Sequence, residues 1–140
     1  MNKFLVLLTA LVSPICLAAQ NETPSAPVST QTPLEALRAA AVDQEADFDA
    51  AYAAAEAADV KASVLLESKV LNLLGSSDLQ AVLALIPEME ASADEFVVGQ
   101  GGFFSNRNQV YGLIENLKAL KANEAGDMDG FERHAKEGFW

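Results

Sequence analysis

Along the folded part of this chain the large apolar side chains return every third or fourth residue, which commits it to helices that each bury one stripe. Leu79, Val82, Leu83, Ile86, Met89 and Ala93 form one such stripe, and Val110, Leu113, Ile114, Leu117 and Leu120 form another. A shorter set, Met128, Phe131 and Ala135, gives a last helix an inner face. Glycines fall between the stripes, Gly75 before Ser76-Ser77-Asp78 and Gly126 before Asp127, where a helix end and a new cap belong. The expected fold class is all-α, about five helices in antiparallel helical hairpins or an irregular helical bundle.

The first helix has a clear start. Thr32 is a candidate N-cap, Pro33 suits the first helical position, and Glu35 stands three residues after the cap to return its hydrogen bond. Leu34, Leu37, Ala41, Phe48, Tyr52 and Ala55 continue at helical spacing, with no Gly or Pro among them, so one long helix is expected up to a break near Asp59. Val60, Val64, Leu71 and Leu74 then begin a differently phased stripe. Two hairpins follow, residues 60–74 with 78–94 and 106–124 with 127–137, Pro87 kinking the second of these helices by removing a donor and crowding the preceding turn. Residues 97–107, with Gly99, Gly101 and Gly102, read as the longest internal loop and a flexible connector, and Ser105 or Asn106 caps the helix after it.

Upstream of the helices the composition changes twice. Lys3, an apolar run from Phe4 to Val12, Ser13-Pro14 and the small residues Ala18 and Ala19 have the layout of a secretory signal peptide, with cleavage expected after Ala18. Pro14 and the polar stretch from Gln20 interrupt the run short of the roughly 20 apolar residues that a spanning helix needs. The expected organisation is therefore residues 1–18 as signal peptide, 19–32 as a disordered linker rich in Pro, Ser, Thr and Gln, and 33–140 as a single helical domain. The protein is expected to be exported, periplasmic or secreted. Attachment of lipid to Cys16 is disfavoured, because Ser13, Pro14 and Ile15 do not supply the leucine-type and small residues normally found before a lipidated cysteine.

Composition excludes several functions. Of the 9 basic residues Lys3 lies in the signal and none of the 20 acidic ones does, which leaves 8 against 20 and a net charge of −12. Such a surface repels phosphate backbones and anionic lipid, so neither nucleic acid nor a membrane surface is an expected partner. Removal of Cys16 with the signal would leave no thiol for a disulfide, a thiolate or covalent haem. His134 is the only histidine, which removes every zinc site that needs two imidazoles. Asp43, Glu45, Asp47 and Asp49 alternate like a calcium loop, yet Phe48 and Ala54 stand where Gly and the bidentate Glu are required, and a solvated helix face explains them better. No Gly-x-Ser-x-Gly elbow accompanies His134, and Gly99-Gln100-Gly101-Gly102 lacks the Lys of a phosphate loop. No catalytic residue, metal ligand or cofactor is expected.

The stretch from Leu117 to Trp140, LKALKANEAGDMDGFERHAKEGFW, resembles one tetratricopeptide-type hairpin, and Val64 to Glu90 is similar again. Phe131 stands where that repeat usually has alanine, and the two units lie farther apart than the usual ~34-residue period. Residues 59–140 also resemble a helical N-terminal region of exported bacterial proteins, some of which continue into a thioredoxin-like domain. Val64-Leu65-Leu66-Glu67, Ile86-Pro87-Glu88-Met89-Glu90, and Gly126-Asp127 through Phe139-Trp140 bear that likeness. With Trp140 as the last residue, a free-standing module or a shortened form without the thioredoxin-like domain is expected, and the resemblance carries over no functional residues.

These readings converge on a non-enzymatic, exported helical-hairpin module that binds another protein. Phe139 and Trp140 are the candidate contact residues, either as the hydrophobic cap behind Gly138 or as an exposed anchor for a partner. The alternative is a periplasmic helical-bundle carrier of a small ligand or of non-covalent haem, held between Met89 and His134 and visible as absorbance near the Soret region.

Overall fold

A computed structural model describes residues 30–138. Seven α-helices account for most of them: α1 Pro33–Val42, α2 Phe48–Ala57, α3 Ala62–Gly75, α4 Leu79–Ala84, α5 Ile86–Ser92, α6 Arg107–Glu124 and α7 Met128–Gly138. A 3₁₀ turn, Ala93–Glu95, follows α5, and no strand occurs among the described residues. The chain is all-α. Two of the five expected helices are each divided in two, and both divisions have local causes.

The first division lies at residues 43–47. α1 starts as expected, with the Glu35 N–H donating to Thr32 Oγ1 at 3.3 Å and the Thr32 N–H donating to Glu35 Oε2 at 2.8 Å. It stops at Asp43, whose carboxylate accepts the N–H of Glu45 at 3.0 Å in place of a helical carbonyl. Asp47 then accepts the N–H of Ala50 at 3.0 Å and caps α2. Asp43, Glu45 and Asp47 are thus turn and cap residues rather than a charged helix face, and only Asp49 lies on a helix. Gln44 fastens this turn to α3 by donating to the Asn72 carbonyl at 3.4 Å, close enough to Gly75 that a Cβ there would lie 2.4 Å from the Gln44 amide nitrogen.

Pro87 causes the second division. It has no N–H to give, and its ring crowds the turn before it, so the helix parts at Leu85 and resumes as α5. The inward stripe survives the bend: Val82, Leu83, Ile86, Met89 and Ala93 are all buried, with Leu79 packed against them.

Three connections use one device. After α2 the N–H of Val60 donates to the carbonyl of Ala55 at 3.0 Å, after α3 that of Asp78 donates to Leu73 at 3.1 Å, and after α6 that of Asp127 donates to Ala122 at 2.9 Å. Each is the long bond of a Schellman motif, with the residue just before the donor in the left-handed region. Those residues are Asp59 at φ 56°, Ser77 at φ 60° and Gly126 at φ 75°. The expected break near Asp59 and the role of Gly126 are found. Gly75 instead remains inside α3, and Ser77 takes the left-handed position.

The core has two parts. Leu66, Val70, Val82, Leu83, Ile86, Met89, Phe96, Val110, Ile114 and Leu117 belong to the larger one, and Leu37, Ala55 and Leu65 form the smaller, with Phe48, Tyr52 and Val60 packed on it. α3 runs between them against α1, α2, α4 and α5. Every residue from Ser63 to Ser68 is consequently buried, Glu67 included.

That carboxylate organises the loop at residues 96–106. Glu67 Oε1 accepts the N–H of Phe103 at 3.3 Å, with the Val97 backbone also close enough to favour its charged form. Burial nevertheless raises the Glu67 carboxyl above its ordinary value, against the pull of those backbone groups and of Arg38 and Arg107. Phe96 is buried and stacks on Phe104 at 6.2 Å, and Val98 bridges Phe104. At Gly102 a Cβ would lie 2.1 Å from the Val97 carbonyl oxygen, so the loop closes on itself only with glycine there. The segment read as a flexible connector is tied down at both ends and in the middle.

Candidate functional site

Helices α6 and α7 form the last hairpin of the described chain. Asn106 caps α6 by accepting the Gln109 N–H at 3.1 Å, and the Gln109 side chain accepts the Ser105 N–H at 2.7 Å in return. At the far end Asp127 closes the turn and accepts the Gly130 N–H at 2.9 Å, which starts α7. The expected boundaries of this hairpin are reproduced to within a residue.

Its packing face is different from the expected one. Met128 is 57% exposed, and Phe131 and Ala135 are only half-buried. The buried residues of α7 are Gly130 and Gly138, with His134 between them at four-residue spacing. A Cβ at Gly138 would lie 3.2 Å from the Asn116 backbone nitrogen and 2.2 Å from its side-chain oxygen, and one at Gly130 would lie 3.3 Å from Ala122 Cβ. α7 therefore seats its glycines against α6, and the helices approach too closely for larger side chains. Leu120 is likewise 40% exposed, where an inward position was expected, and Ala119 is buried instead. Phe139 and Trp140, the candidate contact residues, lie outside the described residues.

His134 joins a line of charges across three helices. Its Nδ1 lies 2.6 Å from Glu115 Oε2 on α6. Lys118 donates to Glu115 Oε1 and to Glu90 Oε1 of α5, both at 2.8 Å. Burial pushes the Glu115 carboxyl up, but the bonds from Lys118 and His134 outweigh it and hold the group below its ordinary value. Hydrogen bonds from Glu115 and Glu90 hold the Lys118 ammonium above its ordinary value. Glu137, one turn after His134, brings a third donor: one atom each of Glu115, His134 and Glu137 lie within 4.8 Å of one another.

The other residues singled out in the sequence are not gathered here. Met89 is fully buried in the larger core cluster. The groove that His134 lines is formed with Ile86, Pro87, Glu90, Lys121 and Asp127, and Met89 is not part of its wall. On α7 a separate hollow is lined by Phe131, Glu132, Ala135 and Lys136. Sequence reasoning missed Glu115 and Glu137, because acidic residues are so frequent here that only the crossing of α6 and α7 sets these two apart.

No family model, curated protein or solved structure matches this chain. No helix among the described residues is long and apolar enough to cross a membrane.

Proposed function

We propose that this chain is an exported, non-enzymatic helical-hairpin module, tetratricopeptide-like in its hairpins, whose work is to bind another protein. The observation that supports this reading is the apolar side of α7. Met128, Phe131 and Ala135 sit roughly a quarter-turn away from the glycine face, at about 100° per residue, and so remain open beside a helix already anchored by its other side. Exposed large apolar side chains on a fixed helix are the usual material of a binding surface. Export follows from the signal-peptide reading of residues 1–18 and the linker reading of 19–32, and an intact mass beginning at Ala19 or Gln20 tests it.

A photoreactive residue in place of Met128, with one in place of Glu45 as control, tests the surface in the native host. The expected result is one exported protein cross-linked from position 128 and not from 45. Met128→Asp with Phe131→Asp should abolish its recovery while leaving the thermal midpoint of the chain within a few degrees. Unchanged recovery with the double substitution would overturn the assignment.

A further inference from the structure

The line of charges between α6 and α7 has one member that hydrogen bonding does not account for. Glu115 is served twice, its Oε1 by Lys118 and its Oε2 by His134. Glu137 is brought to the same point by its place one turn after His134, yet it has no ion-pair partner among the described residues. Two carboxylates that converge on one imidazole repel each other unless a cation lies between them. Lys118 relieves the Glu115 side and the Arg133 guanidinium lies 3.4 Å from His134 Nε2, which leaves Glu137 as the member without an ion pair among the described residues.

We propose that Glu115, His134 and Glu137 form a site for a divalent transition-metal ion, Zn²⁺ the best match. The donor set decides the class of ion: one imidazole nitrogen with two carboxylate oxygens suits Zn²⁺, whereas Mg²⁺ and Ca²⁺ call for oxygen alone. The spread of 4.8 Å or less is within side-chain rotation of one tetrahedral ion, whose donors at bonds of about 2.0–2.2 Å stand about 3.4 Å apart. Two donors come from α7 and one from α6, so the ion would clamp the hairpin on the side that its glycines hold together. His134 and Glu115 are mostly buried and joined by the Nδ1–Oε2 hydrogen bond at 2.6 Å, which the ion would displace, while Glu137 is exposed and provides the way in. Three protein donors leave a fourth position for water or for a side chain of a partner. The positive charges of Lys118 beside Glu115 and of Arg133 beside His134 Nε2 place the affinity below that of a closed structural site.

Titration calorimetry with ZnCl₂ on the untagged full chain, Cys16→Ser in every sample so that no thiol competes, tests the site. One Zn²⁺ per chain is expected, with Mg²⁺ and Ca²⁺ giving no heat. His134→Ala should weaken binding by about tenfold or more, as loss of a ligand does. Glu137→Gln, at an exposed position where the fold is not at stake, should weaken it severalfold, and Glu132→Gln on the outer side of α7 should leave it unchanged. Circular dichroism melting should show the midpoint rising with Zn²⁺ in the parent and not in His134→Ala. Absence of Zn²⁺ heat, or an affinity within twofold of the parent in both His134→Ala and Glu137→Gln, would overturn the proposal.

Discussion

Helices α3 and α7 invert the ordinary relation between polarity and burial. α3 buries Ser63, Glu67 and Ser68, while α7 buries two glycines and leaves Met128 in solvent. Neighbours make the difference. α3 packs against four helices, so every side of it is covered and polar residues go inside with the apolar ones. α7 packs chiefly on α6, and the closeness of that single contact selects residues for smallness. How many elements surround a helix decides what it buries; its own apolar moment decides only what it could bury.

The largest break in this comparison should come from Glu67→Ala. It empties a buried site and leaves the N–H of Phe103 without its acceptor. A loss of about 2–5 kcal/mol in chemical denaturation is expected from the cavity and the unmet donor. Glu67→Gln sharpens the same point. The raised Glu67 pKa means that its contribution is fully present below the ordinary 4.5 and is lost as pH rises through the folded-state value. Wild type should therefore lose stability relative to Glu67→Gln over that window, and parallel pH profiles would refute the assignment.

Next in size is the glycine face. Gly138→Leu must move α7 off Asn116, and a loss of about 1–3 kcal/mol is expected from overpacking. Met128→Leu on the open side should change the unfolding free energy in urea by less than about 0.5 kcal/mol, as surface substitutions do.

Smaller again is the Glu90, Lys118, Glu115, His134 line. The lowered Glu115 pKa gives stability that is present above the ordinary 4.5 and lost as pH falls through the folded value. Lys118 has the opposite sign, its contribution present below 10.5 and lost as pH rises through its raised value. Glu115→Gln should cost about 1 kcal/mol or less near neutrality and should flatten the acid limb. The smallest effect belongs to Asp59→Gly, which relieves a left-handed aspartate; a gain of up to about 1 kcal/mol is expected, measured by urea denaturation.

What could be read from the sequence depended on whether the cause was local. Thr32 with Glu35, Asn106, Gly126 and Pro87 act on their own neighbourhood, and each does in the structure what its residue type suggests. The turn at residues 43–47 was also local, but Asp43 and Asp47 make it with side-chain acceptors, and a search for Gly or Pro passes over them. Ser77 in the left-handed position hid behind Gly75 for a similar reason. The burial of Glu67 and the inward glycines of α7 have no local sign at all, since both follow from how closely other helices approach. Of the candidate site, the sequence singled out His134 only as an alternative haem ligand with Met89, and it did not single out Glu115 or Glu137, because these residues meet only when α6 and α7 cross.

The three Schellman turns have a consequence for how quickly the chain can find this fold. Each returns the chain within a few residues, so α2 meets α3, α3 meets α4 and α6 meets α7 with little loop entropy to overcome. A topology built from such near neighbours has a low contact order, which places folding in the microsecond to millisecond range typical of helical bundles. The pairing of α6 with α7 needs no residue before Arg107, so this hairpin is able to form as a unit while the packing around α3, which draws on four separate helices, is still incomplete.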